Sequence, residues 1–206
     1  MDINDSYIRI SKYFNFWARK FELDARKQQI KDSENLNGKK LIISPPTDPV
    51  IDMLASQGDG SNLNLICFSE ATTLIARKYL KKRKIKNVNL VSTKYFILPF
   101  GDDEIVSVYL NCFIDFCNMS EVPLLLAEIN RTLRPKGKLF AVFMSFPKSI
   151  KAKVWTGLFR IFNSFTGGCH PVEDGLVSQN NIFNVLENRY SETKGFPLRY
   201  MILEKP

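Results

Sequence analysis

The chain has 206 residues, 45% hydrophobic content and a formal net charge of +8. That length supports one buried core and is short for two, and the composition excludes fibrous repeats and long disordered tracts. The longest apolar runs, "LIIS" and "KLFAVFMSF", fall well below the roughly 18 to 20 residues of a membrane-spanning helix, so no transmembrane segment is expected.

The start, "MDINDSYIRISKYF", lacks the pattern of a secretory signal, and a cytoplasmic protein is expected. Cys67, Cys112, Cys117 and Cys169 form no CxxC pair, which favours reduced, buried thiols over disulfides or zinc ligands, and no metal site is expected. The positive charge favours acidic partners without fixing one. The run "RKYLKKRKIK" (77–86) reads as the basic end of a helix rather than a nucleic-acid patch, because few aromatic residues interleave its charges.

In chain order, residues 6–31 place Tyr7, Ile10, Phe14, Trp17 and Phe21 at three- and four-residue steps, the stripe of one amphipathic helix. Residues 1–37 are expected to form an N-terminal helical cap. Then apolar runs alternate with helical patterns: a strand at 41–44, a helix over 48–57, a strand at 63–68, a helix over 70–83, and strands at 88–92 and 104–110. A helix over 120–133 and a strand at 137–145 complete a core region of 38–145. This rhythm predicts βαβ units around a mostly parallel sheet covered on both faces. A cap-like insertion (146–175) holds a helix over 148–165. The last part (176–206) is expected to hold a helix from Ser178 to Glu187 and two strands joined around Gly195–Pro197. The whole reads as one domain.

Several of these segments carry a resemblance. "YIRISKYFNFWARKFELDAR", "FSEATTLIARKYLKK", "ILPFGDDEIVSVYL" and above all "LLLAEINRTLRPKGKLFAVF" are similar to the aromatic N-terminal helices, the segment after strand two, the Leu-Pro-Phe loop and the Arg-x-Leu-x-Pro-Gly turn of the class I S-adenosylmethionine (SAM) dependent methyltransferases. The likeness is strongest to the quinone and small-molecule group. It implies a Rossmann-like α/β fold, with helices on both faces of a mostly parallel sheet and a C-terminal antiparallel hairpin.

The positions at which that family holds its cofactor read differently. In "KLIISPPTDP", Ile43 stands where the family has an acidic residue, and Pro45, Thr47 and Pro49 stand at its three glycines. Proline has no N–H and a fixed φ, so the turn from Ser44 to Asp48 cannot copy the family's backbone approach to the cofactor. Cys67 stands at the ribose-binding acid of strand two, and Lys94, followed by Tyr95, at the acid near adenine. A shifted register would instead offer Asp48 and Asp52, or a loop of Gly58, Asp59 and Gly60, while the simpler role of Asp48 is to cap a helix with Pro49 at its first position.

The expectation is therefore a degenerate cofactor motif, no bound cofactor, and a methyltransferase-like pseudoenzyme acting as a non-catalytic binding or partner subunit. Two alternatives stay open: an active methyltransferase of a small apolar acceptor, with SAM as cofactor and a divergent site, and a SAM-independent enzyme on the same fold. His170, the only histidine, is a candidate general base, with a surface loop histidine as the plainer reading. Asn111, Phe113 and Asp115 lie beyond strand four, where open α/β sheets bind ligands. Together with Trp17 and Trp155 they are the ligand-pocket candidates. Residues 148–165, with Val154, Trp155, Leu158, Phe159, Phe162 and Phe165 at helical steps beside Lys148, Lys151, Lys153 and Arg160, read as a basic amphipathic helix. It can pack on the sheet, cover an apolar substrate or rest on a membrane surface.

Overall fold

The computed structural model describes residues 5–57, 62–93, 96–162, 166–178 and 182–206. Three helices come first: α1 (Asp5–Ser11), α2 (Phe14–Phe21) and α3 (Leu23–Asp32). Then β1 (Lys40–Ile43), α4 (Pro49–Ser56), β2 (Leu63–Cys67), α5 (Glu70–Arg83), β3 (Val88–Ser92) and β4 (Ile105–Asn111) alternate. A single 3-10 turn (Ile114–Phe116) leads to α6 (Val122–Thr132) and β5 (Leu133–Met144). The chain continues with α7 (Ile150–Ile161), α8 (Asp174–Ser178), β6 (Asn184–Thr193) and β7 (Phe196–Glu204).

The seven strands form one sheet in the order β3-β2-β1-β4-β5-β7-β6. β1 pairs in parallel with β2 and β4, and β4 with β5, whereas β7 runs antiparallel to β5 and to β6. This is the parallel sheet with a terminal antiparallel hairpin that the class I methyltransferase resemblance implies. β1 and β4 are buried along their whole length, as strands covered on both faces must be. Alternate residues feed two cores. Leu41, Ile43, Val108 and Leu110 join α6 and α8 on one face, while Ile42 and Tyr109 join α2, α4 and α5 on the other.

Three expectations are corrected. The single helix over 6–31 is broken into three, and the last break falls at Glu22, whose backbone leaves the helical region (φ −125°, ψ 2°) and whose carboxylate meets Arg26 in the interior. The helix expected over 178–187 does not run to its end: α8 closes at Ser178, and Asn184–Glu187 belongs to β6, which pairs with β7. β5 begins at Leu133 rather than near 137. Leu133 faces Ile105 while Lys138 faces Ser107, so Arg134–Gly137 is accommodated inside the ladder as an irregularity.

The hairpin positions α7. Gly195 adopts φ +85°, and a Cβ there would lie 3.0 Å from Lys151 Cβ and 3.3 Å from the Trp155 ring. Only glycine gives both this left-handed turn and this approach. The Trp155 indole donates to the Lys194 carbonyl at 3.1 Å, which holds α7 over the strand ends.

Candidate functional site

The strand order reverses between β1 and β4, and in open α/β sheets ligands bind outside the carboxyl ends of strands at such a point. Two features meet there, a cluster of charged side chains and an aromatic pocket.

The charged cluster joins the N-terminal helices to the sheet. Asp48 caps α4, accepting from the Val50 N–H at 2.8 Å, with Pro49 at the first helical position. The Arg26 Nε donates to both Asp48 oxygens at 3.0 and 3.2 Å, and its Nη2 donates to Glu22 at 2.6 Å. Glu22 also accepts from the Trp17 indole and from the Cys112 thiol, both at 3.1 Å. Glu22, Arg26 and Asp48 are all buried. Burial works against the Arg26 charge, but Asp48 and Glu22 more than offset it and hold the guanidinium charged. The two carboxyls share this one cation, and burial pushes both above the ordinary carboxylate range. Thr47 ties the same turn down by donating to the Ser11 carbonyl at 2.6 Å.

The pocket holds about 330 Å³ between α2 and α7. Its walls are Phe14, Phe16 and Trp17 on one side, Trp155, Leu158, Phe159 and Phe162 on the other, and Phe196 from the hairpin. The Trp17 ring meets Trp155 at 5.7 Å, Phe159 at 5.6 Å and Phe196 at 5.1 Å, all edge to face. The floor carries Glu22, Cys112, Asp115 and Cys169. Asp115 accepts from the Met144 N–H at 3.0 Å, and burial, reinforced by Glu22, raises its pKa well above the ordinary value. Burial likewise keeps Cys112 and Cys169 as thiols, so neither is poised as a nucleophile.

The structure thus brings Trp17, Trp155 and Asp115 together. Asn111 lies buried at the end of β4 and accepts from Gln29 at 2.6 Å. Phe113 belongs to a separate ring cluster. It stacks on Phe68 with centroids 4.6 Å apart, and Tyr7 meets Phe113 edge-on at 5.8 Å. His170 lies in the loop after α7, with its Nδ1 3.1 Å from the Gly168 carbonyl, and lines a second, more open cavity with Phe146 and Arg160. Sequence reasoning does not single out Glu22, Arg26 or Cys112 as site residues. Glu22 and Arg26, four apart in a helical stretch, are the available signal.

The residues at the family's cofactor positions do not fit SAM in the family's arrangement. Pro45 offers no N–H, and Asp48 is already engaged by Arg26 and Val50. Burial pushes the Cys67 thiol up to about 11, so it is neutral where the ribose would need an anionic acceptor. Phe68 follows β2 and Phe113 follows β4, so their stack crosses the end of β1, which lies between those strands. An adenine between the two rings would need roughly 7 Å, twice the contact distance of unsaturated carbon. Lys94, Tyr95, Phe165 and the loop of Gly58, Asp59 and Gly60 lie outside the described residues.

Outward from the pocket, α7 presents Ile150, Val154 and Ile161 to solvent, and Tyr13 and Phe16 rise from the opposite rim. Ile150 is 81% exposed and Phe16 72%. Among the described residues no helix is long and apolar enough to cross a membrane.

Residues 45–141 match the family model described as a methyltransferase domain. No curated protein matches the chain. Among solved structures, the chain is similar to a SAM-dependent methyltransferase from Methanosarcina mazei, with 15% identity over 85% of this chain and 96% of that one, at a TM-score of 0.68. It is also similar to geranyl diphosphate C-methyltransferase from Streptomyces coelicolor, solved with Mg2+, geranyl diphosphate and S-adenosylhomocysteine, with 12% identity over 89% and 79% of the two chains and a TM-score of 0.65. A third is the cyclase SpnF, with 14% identity over 88% and 79%, and a TM-score of 0.64. These findings overturn the expectation of no cofactor: the family match and the cofactor-bound neighbour point to SAM. The sheet order, the hairpin and these neighbours give the chain the class I SAM-dependent methyltransferase fold, and residues 45–141, a little under half of the chain, match the methyltransferase-domain family model.

Proposed function

We propose that the chain is a SAM-dependent methyltransferase of a small apolar acceptor, with a rebuilt cofactor site. The observation that carries this reading is the aromatic pocket beneath α2 and α7, beside the point where the strand order reverses. Its walls exclude water from an apolar ligand while the floor keeps a few polar groups, the usual make-up of a small-molecule site. The donor would reach the acceptor from the strand-tip side, held by contacts other than the family's acidic and glycine set. Holding donor and acceptor in line is the greater part of what methyl transfer asks of a protein.

Titration with S-adenosylhomocysteine by calorimetry tests this. Binding is expected to the wild-type chain, and Cys67→Asp, which restores an anionic acceptor at the end of β2, is expected to tighten it about tenfold. No heat from either protein would overturn the reading.

A second reading keeps the pocket and omits the transfer, the chain serving as a binding subunit or hosting other chemistry. The Phe68–Phe113 stack favours it, and the likeness to a cyclase agrees with a fold that does not fix its reaction. In that case S-adenosylhomocysteine binding would be unaffected by Cys67→Asp.

We also propose that the apolar rim of α7 rests on an anionic lipid surface, from which an apolar acceptor enters the pocket. Lys148, Lys151, Lys153 and Arg160 supply the charge complementarity beside the exposed Ile150, Val154 and Ile161. The wild-type protein is expected to float with phosphatidylserine-containing vesicles and the Ile150→Asp, Val154→Asp double variant to stay below. Equal behaviour of the two proteins would remove the proposal.

A further inference from the structure

The floor of the pocket and the charged cluster beside it hold more acids than bases. Glu22, Asp48 and Asp115 are each essentially sealed from solvent, and one guanidinium, Arg26, serves this group. Arg26 gives its Nε and Nη2 to Asp48 and Glu22. Glu22 is engaged as well, by the Trp17 indole, the Arg26 guanidinium and the Cys112 thiol. Asp115 lines the pocket with no cation paired to it among the described residues, its Oδ1 accepting from the Met144 N–H. The titratable groups that face it are Glu22 and Arg26 from the N-terminal helices, Cys112 and Cys117 from the stretch beyond β4 and Cys169 from the loop after α7. A buried carboxyl without a counter-ion keeps its proton, and a neutral carboxylic acid is a hydrogen-bond donor.

We propose that Asp115 is the specificity-determining residue of the pocket, donating a hydrogen bond to the carbonyl oxygen of a small, otherwise apolar ligand whose ring or chain lies among Trp17, Trp155 and Phe159. This rests on the reading of the pocket as an apolar-acceptor site. The number of partners selects the carbonyl over an amine. An ammonium brings three donors into a floor with one group left to receive them, and burying the other two unpaired is costly. A carbonyl oxygen asks for one donor and finds it.

The protein carries its own reporter, because its two tryptophans, Trp17 and Trp155, both line the pocket. Tryptophan fluorescence is followed on titration with three matched probes: tetralin, 1-tetralone and 1-aminotetralin. In the wild type at neutral pH, tetralone is expected to bind about tenfold more tightly than tetralin, the effect of one hydrogen bond made in an apolar site. Asp115→Asn keeps a donor on a side chain of the same size and should keep the preference. Asp115→Leu should erase it while tetralin still binds.

Tetralin and tetralone binding equally to the wild type would overturn the proposal and leave the apolar pocket standing. Aminotetralin binding tightest would overturn it in favour of an ionised carboxylate. If none of the three changes the fluorescence, the pocket reading itself falls. The wild-type and Asn arms decide the matter even if the Leu variant does not fold.

Discussion

Arg26→Ala is expected to destabilise the fold by about 3–5 kcal/mol, the cost of leaving buried carboxylates without their partner. Asp48 and Glu22 would both lose their cation, and Asp48 also caps α4 at the turn after β1. The loss therefore reaches the strand tip as well as the N-terminal helices. Urea unfolding checks this through the midpoint, with the slope unchanged if the folded state keeps its compactness. A triple change, Glu22→Gln, Arg26→Met and Asp48→Asn, removes charge from all three together and should cost much less than Arg26→Ala alone. If the single variant is as stable as the wild type, the cluster is not a sealed ion pair.

Asp115→Asn is expected to change how stability depends on pH. Burial raises the Asp115 pKa well above the ordinary carboxylate value in the folded chain. Between the unfolded value, near 4, and the folded one, the folded chain holds a proton that the unfolded chain has released. The stabilisation is thus fully present below the unfolded value and is lost as pH rises toward the folded value, by up to about 1.4 kcal/mol per pH unit. Glu22 and Asp48, also raised, act in the same direction. The wild type should lose stability as pH rises above the unfolded value toward the folded one, whereas Asp115→Asn should lose less and be the more stable of the two at the upper end. Denaturant midpoints measured across that range decide it. Parallel curves would mean that Asp115 is ionised in the fold.

The sheet is legible in the sequence because β1, β2 and β4 are short apolar runs bounded by turn signals, and such runs have few ways to be buried. The expected helix from Ser178 to Glu187 fails because a short stretch ending in "VLEN" suits either element, and only its partner β7, ten and more residues downstream, decides. Trp17, Trp155 and Asp115 can be named from helical spacing and from their place beyond a strand. Glu22 and Arg26 cannot be assigned inward, since a charged pair four apart is ordinarily a solvated face. The direction they point is set by Asp48, twenty-two residues later in the chain than Arg26, which no local pattern contains. The cofactor expectation fails for a related reason. Mismatches at Ile43, Cys67 and Lys94 describe how one family makes its contacts, and the comparisons place SAM with the family nonetheless.

The pocket is assembled from the N-terminal helices on one side and from later parts of the chain, far apart in sequence, on the other. Trp17 and Glu22 come from the N-terminal helices, while Cys112 and Asp115 come from the tip of β4 and the turn beyond it, Phe159 from α7 and Phe196 from β7. Neither half is a pocket alone. Opening of the N-terminal helices and opening of the site are therefore a single event, and a bound molecule clasps α2 and the turn after it against the body of the protein. Amide exchange in α2 and α3 would follow occupancy of the pocket, although those helices are distant in sequence from its other wall.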